Sequence, residues 1–291
     1  MVEKLQVEIA KTAGFCFGVK RAVNLANKAP GKHPGLRIRT LGPIIHNPQV
    51  VNQLATIGIK QVDDINKLEQ GVVIIRSHGI TKQLAQELEQ RPNLTVIDAT
   101  CPFVRRAQEI VEEMSESGYQ VLILGELDHP EVAGLISYGD PQRTLVISKP
   151  ADIPAEFFTK RKTSRIALLT QTTLSQQLYN KIVLSLLTIK GELRCFNTIC
   201  TATSDRQSEA LELAKKCDCM LIIGGRNSAN TNRLHELCEE RQPASYHIET
   251  AEDLQAEWFT DKKTVGISAG ASTPRWLIDE VLKSLQDLQV S

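Results

Sequence analysis

The stretch GFCFGVKRAV, Gly14–Val23, sets one cysteine between glycines and aromatics, where an apolar run, VEIA, gives way to an amphipathic helical run, VKRAVNLANKA. The same hand-over occurs twice more. Cys101 leads into PFVRRAQEIVEEMSESG and Cys200 into TATSDRQSEALELAKK. Each helical run leads to a strand ending in a polar loop: RIRTLGPIIHNPQVVNQL, VLILGELDHPEVAGL and MLIIGGRNSANTNRL. A short acidic-apolar segment follows (VDDINKLEQ, PADIPAEFF, AEDLQAEWF), then a second strand and loop (VVIIRSHGIT, IALLTQTTLS, VGISAGAST). His46, His129 and Asn230 stand at nearly equal distances after the three cysteines, and His78, Thr172 and Ser272 mark the second loops. The same elements in the same order, three times, indicate one unit of roughly 90 residues used three times.

Runs such as VVIIRS, YQVLILG, RIALLT and MLIIGG are short, rich in Val, Ile and Leu, and bounded by small or polar residues. That is the pattern of strands buried on both faces and alternating with helices, the α/β class with mainly parallel sheets. The expected fold is three similar small α/β lobes about a pseudo-threefold axis: residues 18–101, residues 102–196, and residues 1–17 together with 197–291.

A chain of 291 residues can bury a core without disulfides. Lys plus Arg and Asp plus Glu are 34 each, so net charge makes no case for nucleic acid as a partner. No run is long and apolar enough to span a bilayer, and MVEKLQVEIAK has no signal-like apolar region, so a cytoplasmic protein is expected. There the seven cysteines are reduced: core residues, nucleophiles or metal ligands.

In parallel α/β sheets, ligands bind beyond the carboxyl ends of the strands, where loops enter helices. Cys16, Cys101 and Cys200 all lie at such ends. If the lobes face one another, the three thiols meet, each activated by a helix N-terminus. Three thiolates without a fourth protein ligand suit zinc with a histidine or water, or a [4Fe–4S] cluster with one open iron. The absence of a close C-x-x-C pair among them, and the neutral hydrogen-bonding loops, favour the cluster. Cys195, Cys217, Cys219 and Cys238 have no counterparts between units and read as structural.

The loop residues His46, His78 and His129, with Ser228, Asn230 and Ser272 in the third unit, are hydrogen-bond donors backed by helix N-termini, a setting for a diphosphate. Glu131, in DHPEV, is a carboxyl facing that cavity and a candidate proton donor; Thr172 and Thr173 can relay the proton or hold a substrate hydroxyl. Arg76, Lys20, Arg21 and the helical charges read as solvated faces or salt bridges.

At these residues the chain resembles the LytB (IspH) family of 4-hydroxy-3-methylbut-2-enyl diphosphate reductases. The matching stretches are GFCFGV, IHNPQVV, SHG, DATCP, DHPEV, TQTTLS, ICTAT, NSANTNRL and SAGAS, running from residue 14 to residue 274. The resemblance implies a three-lobed cloverleaf around a central iron–sulfur site. One [4Fe–4S] cluster per chain would be held by Cys16, Cys101 and Cys200, with its fourth iron open to the substrate hydroxyl. The diphosphate would be held by His46, His78, His129, Ser228, Asn230 and Ser272, and the proton supplied by Glu131 with Thr172. It implies reductive dehydroxylation of the allylic diphosphate to isopentenyl and dimethylallyl diphosphate, the last step of the methylerythritol phosphate route to isoprenoids. It also implies an electron donor such as ferredoxin or flavodoxin. Where the family's third-lobe loop usually has a second serine, this chain has Ala229, one hydrogen bond fewer or a water in its place. The rivals are a quinolinate-synthase-like [4Fe–4S] enzyme, whose carboxylate substrates call for more arginine in the loops; a non-catalytic iron–sulfur redox sensor, which needs no Glu131; and a zinc hydrolase.

Overall fold

The computed structural model describes residues 5–155, 157 and 164–288. The first four residues of MVEKLQVEIAK, and Glu156 and Phe158 of PADIPAEFF, lie outside them. Among the described residues, twelve strands form three four-stranded sheets in which every pair is parallel. One holds β2 (Ile38–Leu41), β3 (Ile59–Val62), β4 (Gly71–Ile75) and β5 (Leu94–Asp98) in the order β3-β2-β4-β5. The next holds β6 (Gln120–Leu124), β7 (Thr144–Ile147), β8 (Ser164–Thr170) and β9 (Gly191–Cys195) in the order β7-β6-β8-β9. The last holds β10 (Cys219–Ile223), β11 (Ser245–Ile248) and β12 (Thr264–Ala269), and is completed by β1 (Gln6–Ile9) in the order β11-β10-β12-β1. The N-terminal strand thus takes the place that β5 and β9 take in the other two sheets.

This topology follows from the strand sequences. GVVII and CMLII are buried at every residue and QVLIL at all but its first, as two-sided burial requires. QVEI, LTVID and GELRC are polar and half-exposed, and each forms an edge with one neighbour. The acidic-apolar segments form short 3-10 turns at equivalent places: Ile65–Lys67, Pro150–Asp152 and Ala251–Asp253.

Each cysteine of interest follows an edge strand and leads into a helix: Phe17–Lys32, Pro102–Glu116 and Thr201–Ala214. Apolar clusters cover both faces of the β7-β6-β8-β9 sheet. One is built on Val111, Met114 and Leu135 and the other on Ile182 and Leu186, each such side chain worth roughly 1.5–3 kcal/mol. The chain falls into two compact units: residues up to Lys20, Ile45–Thr56 and those from Thr201 form one; Arg21–Ile44 and Ile57–Cys200 form the other. The helix Pro48–Thr56, capped by the Asn47 side chain accepting from Val50 N–H at 3.0 Å, therefore belongs with the last sheet.

Gly71 starts β4 at φ +121°, and a Cβ there would stand 2.5 Å from the Arg37 carbonyl oxygen. Gly71→Ala is expected to destabilise the fold by about 1–3 kcal/mol, read as a lowered urea midpoint at unchanged slope. An unmoved midpoint would show that the backbone relaxes there at no cost.

Candidate functional site

The three cysteines share one backbone arrangement. Cys101 N–H donates to Ser77 C=O at 2.9 Å, Cys200 N–H to Thr172 C=O at 2.9 Å, and Cys16 N–H to Ala271 C=O at 3.1 Å. The acceptors each stand two residues past the end of β4, β8 and β12, the corresponding strands of the three sheets. All three cysteines are half-buried. Cys217, Cys219 and Cys238 are buried among apolar side chains, and burial pushes the Cys219 and Cys238 thiols up to about 12, away from any thiolate role. Cys195, expected to be a core residue, is exposed at the end of β9.

In the unit of the first two sheets, one run of contacts ties the expected site residues together. Ser77, which accepts from Cys101, precedes His78; the rings of His78 and His129 meet edge-on with centroids 5.7 Å apart. His129 caps the helix Pro130–Ser137, its Nδ1 accepting from Glu131 N–H at 3.1 Å. That bond places the neutral ring's proton on Nε2. Glu131 is 1 % exposed, and its carboxyl accepts from Thr172 N–H at 2.7 Å and Thr172 Oγ1–H at 2.8 Å. Thr172 then accepts from Cys200. Burial pushes the Glu131 carboxyl up to about 7 against the two Thr172 bonds, which pull it down. The result is an acid poised to hold or give a proton near neutrality. Thr173 is set apart from this pair: its Oγ1 accepts from Gln171 Nε2 at 2.9 Å.

In the unit of the last sheet, Cys16 is bonded to Ala271, and the next residue, Ser272, donates from Oγ to the His46 carbonyl at 3.0 Å. Ser228 caps the helix Ala229–Arg241, accepting from Thr231 N–H at 3.3 Å, so its own O–H is left to donate. Asn230 is 7 % exposed and its buried Nδ2 has no hydrogen-bond partner among the described residues, a donor awaiting an acceptor. Asn47, not singled out in the sequence, has the same property: among the described residues its buried Nδ2 has no partner, while Oδ1 caps its helix. Its signal was the HNP triplet, asparagine before a helix-starting proline.

Two charges depart from the expectation of solvated faces. Arg76 is half-buried and donates from Nε to the Gly79 carbonyl at 3.3 Å in the SHG loop. Arg206 is 3 % exposed and donates at 2.7 Å to both Thr12 C=O and Gly14 C=O, the backbone just before Cys16. Glu209, one turn on, accepts from Lys11 N–H, Thr12 N–H and the Thr12 hydroxyl at 2.6–2.8 Å. Among the described residues no three His, Cys, Asp or Glu side chains gather as a single-ion metal site, and no helix is long and apolar enough to cross a membrane.

A family model described as LytB protein matches residues 7–286. A 4-hydroxy-3-methylbut-2-enyl diphosphate reductase of Trichlorobacter lovleyi is 48% identical over 289 residues, covering 99% of this chain and 100% of that protein. One of Geotalea uraniireducens is 49% identical over 288 residues, 98% of each. Among solved structures, (E)-4-hydroxy-3-methyl-but-2-enyl diphosphate reductase, described as the terminal enzyme of the non-mevalonate pathway, matches with a TM-score of 0.71 at 43% identity. It covers 97% of this chain and 99% of that one. The E-1-hydroxy-2-methyl-but-2-enyl-4-diphosphate reductase of Plasmodium falciparum matches at 0.87 with 25% identity, covering 96% and 87%.

Proposed function

The chain belongs to the LytB family, and we propose that it reduces 4-hydroxy-3-methylbut-2-enyl diphosphate, an allylic alcohol. Two electrons and two protons are taken up, the C–O bond breaks, water leaves, and isopentenyl or dimethylallyl diphosphate remains. The observation that carries the reading is the buried Glu131–Thr172 pair, with the carboxyl pushed up to about 7 and His78 and His129 alongside. A carboxyl that keeps its proton at neutral pH is what departure of hydroxyl as water needs.

In this reading Cys16, Cys101 and Cys200 hold one [4Fe–4S] cluster. The donor set fits: three half-buried cysteines alike in backbone position, with no fourth protein ligand required. Bound there, the cluster supplies electrons and an open iron for the substrate oxygen. The rest is done by this chain. Protonated Glu131 delivers its proton, and Thr172 holds the carboxyl in place through N–H and Oγ1. His129 offers Nε2–H, and Asn230 Nδ2 and Ser228 O–H supply further donors to the diphosphate, with His46 and His78. Ser272 takes part through its bond to the His46 carbonyl, which holds that loop in place. Holding the diphosphate orients the hydroxyl, which lowers the barrier through proximity. In this reading the three lobes run 18–101, 102–196, and 1–17 with 197–291, although the helix Pro48–Thr56 groups with the last of them. Ligand thiols that must stay reduced agree with a cytoplasmic setting.

The test is anaerobic iron and sulfide analysis, with the visible spectrum taken before and after the allylic diphosphate. About four irons per chain and a spectrum that shifts with substrate support the reading. Zinc, or iron indifferent to the diphosphate, rejects it in favour of the hydrolase or the sensor. Cys101→Ser is expected to lose most of its iron; undiminished iron would remove Cys101 from the ligand set.

A further inference from the structure

In a chain of zero net charge, no Asp or Glu occurs between Glu8 and Asp63, while eight Lys and Arg do. The helix Phe17–Lys32 lies inside this stretch and carries Lys20, Arg21, Lys28 and Lys32 without one acid. Its counterparts after the other two cysteines are different. Pro102–Glu116 has four glutamates against two arginines, and Thr201–Ala214 has three acids against one arginine. The cations of Pro102–Glu116 are neutralised, Arg105 by Asp98 and Arg106 by Glu109. On Phe17–Lys32, among the described residues, Arg21 alone of the four cations has a partner for its side chain, donating to the carbonyls of Thr100 and Asp98. Phe17, Lys20, Asn24, Lys28 and Lys32 recur at helical spacing on one face and are all exposed, Phe17 at 64 %. Among the described residues Lys20, Lys28 and Lys32 form no ion pair.

We propose that this face of Phe17–Lys32 is the docking surface for an acidic electron-carrier protein. The proposal rests on the reductase reading, which needs two electrons from outside the chain. A carrier of one-electron iron–sulfur or flavin type delivers them in two encounters, being oxidised by one electron each time. Charge complementarity selects the partner: an acidic protein is drawn to the one cysteine-led helix with unneutralised cations and away from the two that are net acidic. The helix begins at the residue after Cys16, so a partner on this face lies beside a proposed cluster ligand. Exposed Phe17 supplies the apolar anchor that a charged rim surrounds at protein interfaces.

The experiment compares wild-type holoenzyme with Lys28→Glu/Lys32→Glu, two exposed positions far along the helix from Cys16. Turnover of the allylic diphosphate is measured with reduced methyl viologen, which needs no docking surface, and with a reduced acidic [2Fe–2S] ferredoxin. Binding of the oxidised ferredoxin is measured by calorimetry at two salt concentrations. Expected are a viologen-driven rate within twofold of wild type, a ferredoxin KM and Kd raised about tenfold, and a flattened salt dependence. An unchanged ferredoxin Kd overturns the proposal, as does a viologen rate that falls in step with the ferredoxin rate. So does tighter wild-type binding to a DNA duplex or to anionic vesicles at the same salt. No wild-type turnover with viologen would instead reject the reductase reading, and the calorimetry would still decide the docking.

Discussion

Glu131→Gln is expected to keep its iron and its fold while losing turnover by about a hundredfold or more, the usual worth of a positioned acid. The substitution is nearly isosteric. Its carbonyl can still accept from Thr172 N–H, and its amide can donate to Thr172 Oγ1, so the 2.7 Å and 2.8 Å contacts survive with the hydroxyl turned. What is lost is the transferable proton. Wild-type activity should fall as pH rises through about 7, where burial has pushed this carboxyl, and the residual activity of the variant should not follow that limb. Stability should fall in the same direction. The carboxyl ionises near 4.5 when unfolded and near 7 when folded, so between those values the folded chain holds a proton that the unfolded chain has lost. This contribution is fully present below 4.5 and fades as pH climbs through 7, reaching a penalty of about 3 kcal/mol. Urea unfolding should therefore find Glu131→Gln more stable than wild type at pH 8.5, with the difference nearly gone at pH 4. Near-wild-type turnover, or a stability difference independent of pH, would remove Glu131 from the role of acid.

Much of this was legible because the central strands carry their own signature. GVVII, QVLIL and CMLII are apolar on both faces, and a thiol repeated at each hand-over from an edge strand to a helix points to one kind of place in the fold. The DHPEV and TQTTLS loops were readable as chemistry, and the direct Glu131–Thr172 contact joins them across 41 residues of chain. Arg206 and Glu209 were not readable. In TATSDRQSEALELA they have the spacing of any helix surface, and the loop groups of Lys11, Thr12 and Gly14 that they bind lie 192 to 198 residues away. Burial of a charge is decided by what packs over it, which helical periodicity does not record. The helix Pro48–Thr56 was illegible in the same sense: its strands β2 and β3 belong to one compact unit and the helix between them to the other. The acid-free stretch was visible all along, but a chain-wide charge of zero hid it.

Arg206→Met is the substitution expected to damage the protein most without touching a proposed ligand. The guanidinium is 3 % exposed and satisfies the carbonyls of Thr12 and Gly14, with Ala202 C=O accepting a third bond at 3.2 Å. Methionine keeps much of the volume and none of the donors. Carbonyls left unpaired cost about 1–3 kcal/mol each, so a loss of about 3–5 kcal/mol is expected, read as a lowered urea midpoint. Glu209 adds the complementary half: it holds the N–H groups of Lys11 and Thr12 while Arg206 holds the carbonyls, so one helix grips both sides of the backbone leading to Cys16. Loosening that grip frees residues 12–16 to wander, and iron retention after reconstitution should fall even in the fraction that remains folded. Arg206→Lys separates the two effects. A lysine keeps the charge but reaches carbonyls as a point donor and cannot bridge two with a planar fork. It should recover part of the stability and little of the iron retention. Full recovery of both would show that the charge alone matters there, and Arg206→Met with undiminished iron would show that the Cys16 loop holds its shape without the clamp.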